Sequence, residues 1–128
     1  MACSGLVEER DPLPDAVPWR GITDRRERLT TGLRAVYDWY GRNAALLACV
    51  LRDAEDHALT REISTMRFAP SMADYREVLG AKLSAKQRAM LHLALSFYTW
   101  RTLVRDGGLT QGAAIAAMVQ AVDGANKA

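Results

Sequence analysis

The sequence SAKQRAMLHLALSFYTWRTLVRDGGLT, residues 84–110, decides the fold of this 128-residue chain. Between Ala89 and Trp100 only three residues are polar, and apolar side chains recur at helical spacing on two sides. A helix that is apolar on two sides has to be buried on two sides. The stretch therefore predicts one long helix, residues 84–106, with one side in its own core and the other against a partner subunit or an enclosed cavity.

Both ends of this helix carry recognisable signals. Ser84 is a good N-cap residue, and Gln87 completes a capping box with it. The run DGGL, residues 106–109, predicts a helix stop in which a glycine adopts the left-handed conformation and Leu109 packs back onto the helix. Thr110 then caps a final, alanine-rich helix that ends near residue 124.

The preceding sequence adds four shorter helices. Their apolar stripes predict boundaries of about 24–43, 44–56, 57–67 and 72–82, with Asp24 and Asn43 as caps of the first two. A break is expected at Pro70, because the residue before a proline avoids helical geometry. No stretch shows the alternation of a strand. The predicted fold class is all-α with six helices, and the last two form an antiparallel hairpin that makes a four-helix bundle in a homodimer.

The domain organisation follows from the prolines near the N-terminus. Pro12, Pro14 and Pro18 exclude an α-helix there, so residues 1–24 are interpreted as a connector made of a helix end and an extended segment. Residues 25–128 are then one helical domain.

Composition bounds the environment and the partners. The chain carries 17 basic and 15 acidic residues, which does not demand a polyanionic partner. Its two cysteines, Cys3 and Cys49, have no metal-type spacing, and no apolar run reaches the ~18 residues of a membrane span. The sequence thus predicts a cytoplasmic protein with no membrane association.

Few residues suggest chemistry. Asp53, Asp56 and His57 share a helix face, which is compatible with a metal site or with an exposed acidic turn; we interpret it as the latter and predict no metal. The DRRER run, residues 24–28, is either a solvated first turn, which we favour, or a DNA-binding patch. There is no nucleophile elbow and no paired-carboxylate motif. No catalytic residue and no cofactor is predicted, and the chain is not expected to be an enzyme.

Aromatic and sulfur-containing side chains provide the remaining signal. They are numerous enough to line a pocket for a flat, hydrophobic small molecule, although residues at helical spacing often form ordinary core. The candidate pocket residues are Tyr37, Tyr40, Met66, Phe68, Tyr75, His92, Phe97, Tyr98 and Trp100. The candidate dimer-interface residues are Leu91, Leu95, Ala114, Ala117, Met118, Ala121 and Val122.

Three segments resemble the C-terminal half of TetR/AcrR-family transcriptional regulators. They are RERLTTGLRAVYDWYGRN (26–43), LLACVLRDAE (46–55) and FYTWRTLVRDGGLTQGAAIAAMVQAV (97–122). The resemblance extends over about residues 3–124. Its most specific part is the pattern WR-x-L-x-R-D-x-GL followed by an alanine-rich helix, which looks like the family's penultimate helix, tight turn and final helix.

The resemblance implies a function. The chain would be the effector-binding and dimerisation domain of a TetR-like regulator, most simply a repressor, that responds to a small hydrophobic molecule. Nothing matches the family's N-terminal helix-turn-helix, so operator DNA would be bound only through a domain absent from this sequence. The alternative is a free-standing helical protein that binds a small molecule or another protein and has no DNA role. A helix-turn-helix encoded in frame before Met1 would favour the first.

Overall fold

The computed structural model describes residues 11–125, apart from the side chains of residues 60, 63–65 and 67. The predicted end of a linker helix at residues 1–9 lies outside this range. All regular structure in the described part is helical, which confirms the all-α prediction. In chain order it comprises a 3₁₀ turn (Val17–Gly21), α1 (Arg25–Asp56), α2 (Ala58–Leu79), α3 (Ala85–Leu95), α4 (Phe97–Trp100), a π-helical segment (Arg101–Asp106) and α5 (Gln111–Gly124).

Residues 11–125 contain five α-helices where the sequence predicted six, because the first two predicted helices are fused in α1, the next two are fused in α2, and the long predicted helix is divided into α3 and α4. Asn43 does not cap a new helix; it lies at a kink, with φ −117° and ψ 17°. Its side-chain amide donates to the Trp39 carbonyl at 2.9 Å and to an Asp11 carboxylate oxygen at 3.0 Å. A side chain that enters the hydrogen-bond ladder bends a helix without ending it.

The predicted break at Pro70 is also absent, since α2 runs through it. Proline removes the hydrogen bond to the carbonyl four residues earlier, which belongs to Met66. The Met66 side chain is 76% exposed, so this part of the helix lies at the surface. Water can satisfy an unpaired carbonyl there, and the interruption costs less than in a buried helix.

The long helix predicted for residues 84–106 is broken at Ser96. This residue has an extended backbone, with φ −69° and ψ 135°, and its hydroxyl accepts a hydrogen bond from the Tyr98 N–H at 3.2 Å. Ser96 therefore ends α3 and caps α4. Serine favours caps over helix interiors because its side chain bonds to nearby backbone groups.

The predicted caps are confirmed at Asp24, Ser84 and Thr110. Gly108 adopts the expected left-handed conformation, with φ 75°. The turn there is wider than an ordinary helix stop, because the Leu109 N–H donates to the carbonyl of Leu103 six residues earlier. Leu109 remains 39% exposed, so the expected packing of this side chain onto the helix is not found.

The helices surround one core. α1 packs against α2 and α5, and α3 packs against α5 and α2. Leu29, Leu33 and Val36 of α1 are fully buried, together with Ala114 and Val122 of α5. None of the helices in the described part of the chain is both long and apolar enough to cross a lipid bilayer.

The segment before α1 contains no α-helix within residues 11–23, as its prolines predicted. Trp19 of the 3₁₀ turn is buried against Tyr75, with ring centroids 5.3 Å apart. The Tyr75 hydroxyl donates to the Pro14 carbonyl at 2.6 Å, and the Trp39 indole N–H donates to the Asp11 carbonyl at 2.6 Å. The connector is thereby attached along α1 and α2.

Candidate ligand-binding cleft

The break at Ser96 leaves backbone carbonyls at the end of α3 without their helical partners. Two tyrosines of α1 replace these partners: the Tyr37 hydroxyl donates to the Ala94 carbonyl at 2.6 Å, and the Tyr40 hydroxyl donates to the Leu95 carbonyl at 2.5 Å. The last carbonyls of any helix need such external donors when they are buried. We call Tyr37, Tyr40 and the segment Ala94–Phe97 the joint.

Both tyrosines are almost completely removed from solvent. Burial raises the pKa of Tyr37 well above its ordinary value of about 10. Burial raises the pKa of Tyr40 as well, with smaller contributions from the neighbouring Tyr37 and Tyr75. Both hydroxyls therefore keep their protons at neutral pH and act as permanent donors to the joint.

A cleft of about 260 Å³ lies beside the joint, between α1, α2 and the α3–α4 break. Its apolar lining comes from Trp39, Tyr40, Leu47, Val50, Leu51, Phe68, Met72, Leu95, Phe97 and Tyr98. Arg76, His92 and Ser96 add the polar groups. An apolar cavity with a few polar groups is the usual form of a small-molecule site.

The cleft is open to solvent at one side, in contrast to the enclosed cavity expected from the sequence. Tyr98 is 42% exposed, and Arg76 and His92 are also exposed. Deeper in, Tyr40 and Phe97 are buried and meet edge to face, with centroids 5.5 Å apart. The cleft thus has a polar mouth and an aromatic interior.

Five of the nine predicted pocket residues line this cleft: Tyr40, Phe68, His92, Phe97 and Tyr98. The other four do not. Tyr37 belongs to the joint but does not line the cleft, and Tyr75 contacts the connector. Trp100 stacks on Phe97 at 5.7 Å, and its indole N–H donates to Gln111. Met66 points to solvent, because its position on α2 lies outside the packed face.

Sequence reasoning missed several lining residues, and some had a readable signal. Leu47 and Val50 lie on the apolar stripe that predicts the helix at residues 44–56, and one face of that stripe borders the cleft. Ser96 is a capping residue type inside an apolar stretch, which is a signal for a break. Arg76 had no signal, because an exposed arginine on a helix is common.

The predicted dimer-interface residues divide in two. Leu91, Leu95, Ala114 and Val122 are at most 3% exposed and belong to the core of the single chain, which corrects their assignment. Leu91 and Leu95 lie on the face of α3 that packs against the core, and α5 buries Ala114, Ile115, Val119 and Val122 against α1 and α3. Ala117 is exposed, and Met118 and Ala121 are half-buried, so these three remain available at the surface.

The other sequence motifs are accounted for by local structure. His57 lies beyond the end of α1 with an extended backbone, so it does not share a helix face with Asp53. Among the described residues, no three His, Cys, Asp or Glu side chains gather in a way that would hold a metal ion. In the DRRER run, Arg25 and Arg26 both pair with Asp123 of α5, at 2.7 and 3.0 Å.

Comparison of the chain with known protein families, with curated proteins and with solved structures finds no match.

Proposed function

We propose that this chain is the effector-binding and dimerisation domain of a TetR-like transcriptional regulator, and that a small hydrophobic molecule binds in the cleft. The binding part of this proposal rests on one observation, the apolar cleft beside the joint. The regulatory part rests on the sequence resemblance in residues 26–43, 46–55 and 97–122.

The shape and chemistry of the cleft support binding. The cleft of about 260 Å³ opens to solvent, and its inner wall carries the buried aromatic rings of Tyr40 and Phe97. Filling it with an apolar ligand would restore packing contacts that the side chains alone do not make, and removal of ligand surface from water would add about 25 cal/mol per Å².

The position of the cleft suggests how binding would be transmitted. Tyr40 lines the cleft and holds the Leu95 carbonyl. Phe97, which also lines it, begins α4, and α4 continues through the π-helical segment and Gly108 to α5. A ligand that favours one arrangement of the joint would shift α4 and α5 together, and with them the proposed dimer interface.

Thermal shift with a panel of apolar aromatic compounds tests binding. A compound that binds only the native state at a hundred times its Kd raises the free energy of unfolding by about 2.7 kcal/mol. We expect at least one compound to raise the melting temperature of the wild type. The variant Leu47→Trp should lose this response, because the larger side chain occupies the cleft.

The matched control is Ala45→Trp, which adds the same side chain at an exposed position of α1 that does not line the cleft. This variant should respond like the wild type. A panel without any response, or a response that persists in Leu47→Trp, would contradict the proposed site.

The proposed dimer uses the exposed face of α5 around Ala117. Small side chains there allow a second helix to approach closely, and a stable interface would bury more than about 1,000 Å². Sedimentation at micromolar concentration should give a dimer for the wild type and a monomer or insoluble protein for Ala117→Glu. A monomeric wild type would leave only the ligand-binding role.

The chain alone should bind duplex DNA weakly, near 10⁻⁴–10⁻⁶ M, and without sequence preference. A sequence-selective mobility shift at physiological salt would overturn this part of the proposal. A protein that binds ligand and never occurs with a DNA-binding domain would instead be the free-standing binding protein considered above.

A further inference from the structure

The mouth of the cleft carries a cation that has no ion-pair partner among the described residues. Arg76 lines the cleft on α2 and is exposed, and its guanidinium forms no ion pair with any residue that the structure describes. Arginine remains charged at any physiological pH, and its planar fork of donors matches a carboxylate. His92 and the Ser96 hydroxyl add hydrogen-bonding groups to the same lining.

The interior of the cleft selects for a ring. Tyr40, Phe68 and Phe97 all border it, and aromatic groups pair favourably at ring-centroid distances of 4.5–7 Å. The volume of about 260 Å³ lies just below the range of about 300–1,000 Å³ typical of pockets for drug-sized ligands. The space therefore fits one ring or two fused rings better than a longer molecule.

We infer that the occupant is an aromatic monocarboxylic acid, with its ring in the cleft and its carboxylate at Arg76. This inference rests on the proposed binding role and adds the chemical class of the effector. The carboxylate has to stay at the mouth, because a charge in the apolar interior would lose its hydration without a partner. For the same reason a second carboxylate on the ring would prevent binding.

Isothermal titration calorimetry with 2-naphthoate and its neutral, nearly isosteric amide, 2-naphthamide, tests this inference. The two compounds share the ring system and differ in charge. An ion pair at an exposed mouth is worth up to about 1 kcal/mol, so the acid should bind the wild type about fivefold more tightly than the amide. Added salt should reduce the difference, because exposed ion pairs are screened.

Two variants assign the preference to Arg76. Arg76→Gln should bind the amide as the wild type does and lose the preference for the acid. Arg34→Gln removes the same charge from an exposed position of α1 that does not line the cleft, and it should keep the preference.

The outcomes separate the two proposals. If the amide binds the wild type as tightly as the acid, or if Arg76→Gln retains the preference, the inference fails and the cleft remains a site for neutral aromatic molecules. If neither compound binds the wild type at millimolar concentration, the inference fails as well, and the thermal-shift panel decides separately whether the cleft binds any apolar compound.

Discussion

The beginning of α1 and its middle pack against their neighbours in different ways. At its beginning, Arg25 and Arg26 pair with Asp123 of α5, and Gln87 of α3 donates to the Asp123 backbone carbonyl at 3.2 Å. Regular helices meet there with fully buried side chains such as Leu33. We call the part of α1 from Arg25 to Leu33, together with its contacts to α5 and α3, the latched end. At the joint, α1 faces a broken helix, and tyrosine hydroxyls replace helical hydrogen bonds.

This difference shows how the chain forms a cleft without leaving buried polar groups unsatisfied. A helix break in a core exposes carbonyls whose desolvation costs about 1–3 kcal/mol each when they are unpaired. Tyr37 and Tyr40 provide donors from another helix, so α3 can end inside the core. The cleft lies beside this break and is lined by Leu95, Ser96 and Phe97 on that side.

The largest expected effect comes from truncating matched leucines in the two regions. Leu33→Ala at the latched end should lower the free energy of unfolding by about 2–5 kcal/mol, because the cavity forms in a filled core. Leu47→Ala should cost clearly less than Leu33→Ala, since Leu47 already borders the open cleft. Urea unfolding of both variants measures the difference. Equal losses would mean that the cleft is closed in solution.

The next effect concerns the tyrosine hydroxyls. Tyr37→Phe should cost about 1–3 kcal/mol, because it leaves the Ala94 carbonyl buried and unpaired. We expect Tyr40→Phe to lie at the lower end of that range, because Leu95 lines the open cleft and solvent that enters it would replace the lost donor. The free energy of unfolding from chemical denaturation checks this order. A larger loss in Tyr40→Phe would indicate that the cleft is dry.

The same two hydroxyls should make the free energy of unfolding depend on pH in the alkaline range. Their folded pKa values are raised above the unfolded value of about 10, so the neutral form is favoured in the folded state. The resulting stabilisation is fully present below pH 10 and is lost as the pH rises above it. The loss of stability above pH 10 should be smaller in Tyr37→Phe than in the wild type. An identical alkaline profile in the two proteins would show that Tyr37 is not buried in solution.

The sequence predictions were more accurate for the starts of the helices than for the joint. The caps at Asp24, Ser84 and Thr110 were readable because each bonds to an amide three residues along the same chain. The break at Ser96 had only one local signal, a capping residue type inside an apolar stretch, and the donors that stabilise it lie on α1, more than fifty residues earlier. Local chemistry determines how a helix begins, whereas a break in the middle of a buried helix is stable only when tertiary contacts satisfy the backbone groups that it frees.

The candidate site shows the same limit. Tyr40, Phe68 and Phe97 were predicted as pocket residues from their size and aromatic character. Helical periodicity identifies a buried face, but it does not show which part of that face borders a cavity. Leu91, Leu95, Ala114 and Val122 were therefore assigned to a dimer interface although they fill the core. Placing them would have required knowing how α3 and α5 pack against each other and against α1.

The smallest expected effect is the change in stability at acid pH when the ion pairs of the latched end are removed. Hydrogen bonds from Arg26 and then Arg25 lower the pKa of Asp123 below its ordinary value, despite an opposing effect of desolvation. A carboxyl whose pKa is lower in the folded state stabilises the fold above the unfolded pKa, near 4, and this contribution is lost as the pH falls through the folded pKa. Asp123→Asn should therefore reduce stability slightly at pH 7 and make it decline less between pH 4 and pH 2. The midpoint of urea unfolding, measured from pH 2 to pH 7, checks both changes.

Asp74→Asn is the matched control, because Asp74 is exposed and forms no ion pair with a described residue, and it should leave the acid profile unchanged. If Asp123→Asn keeps the wild-type profile, the two arginines do not hold α5 in solution, and the contrast between the latched end and the joint then rests on apolar packing alone.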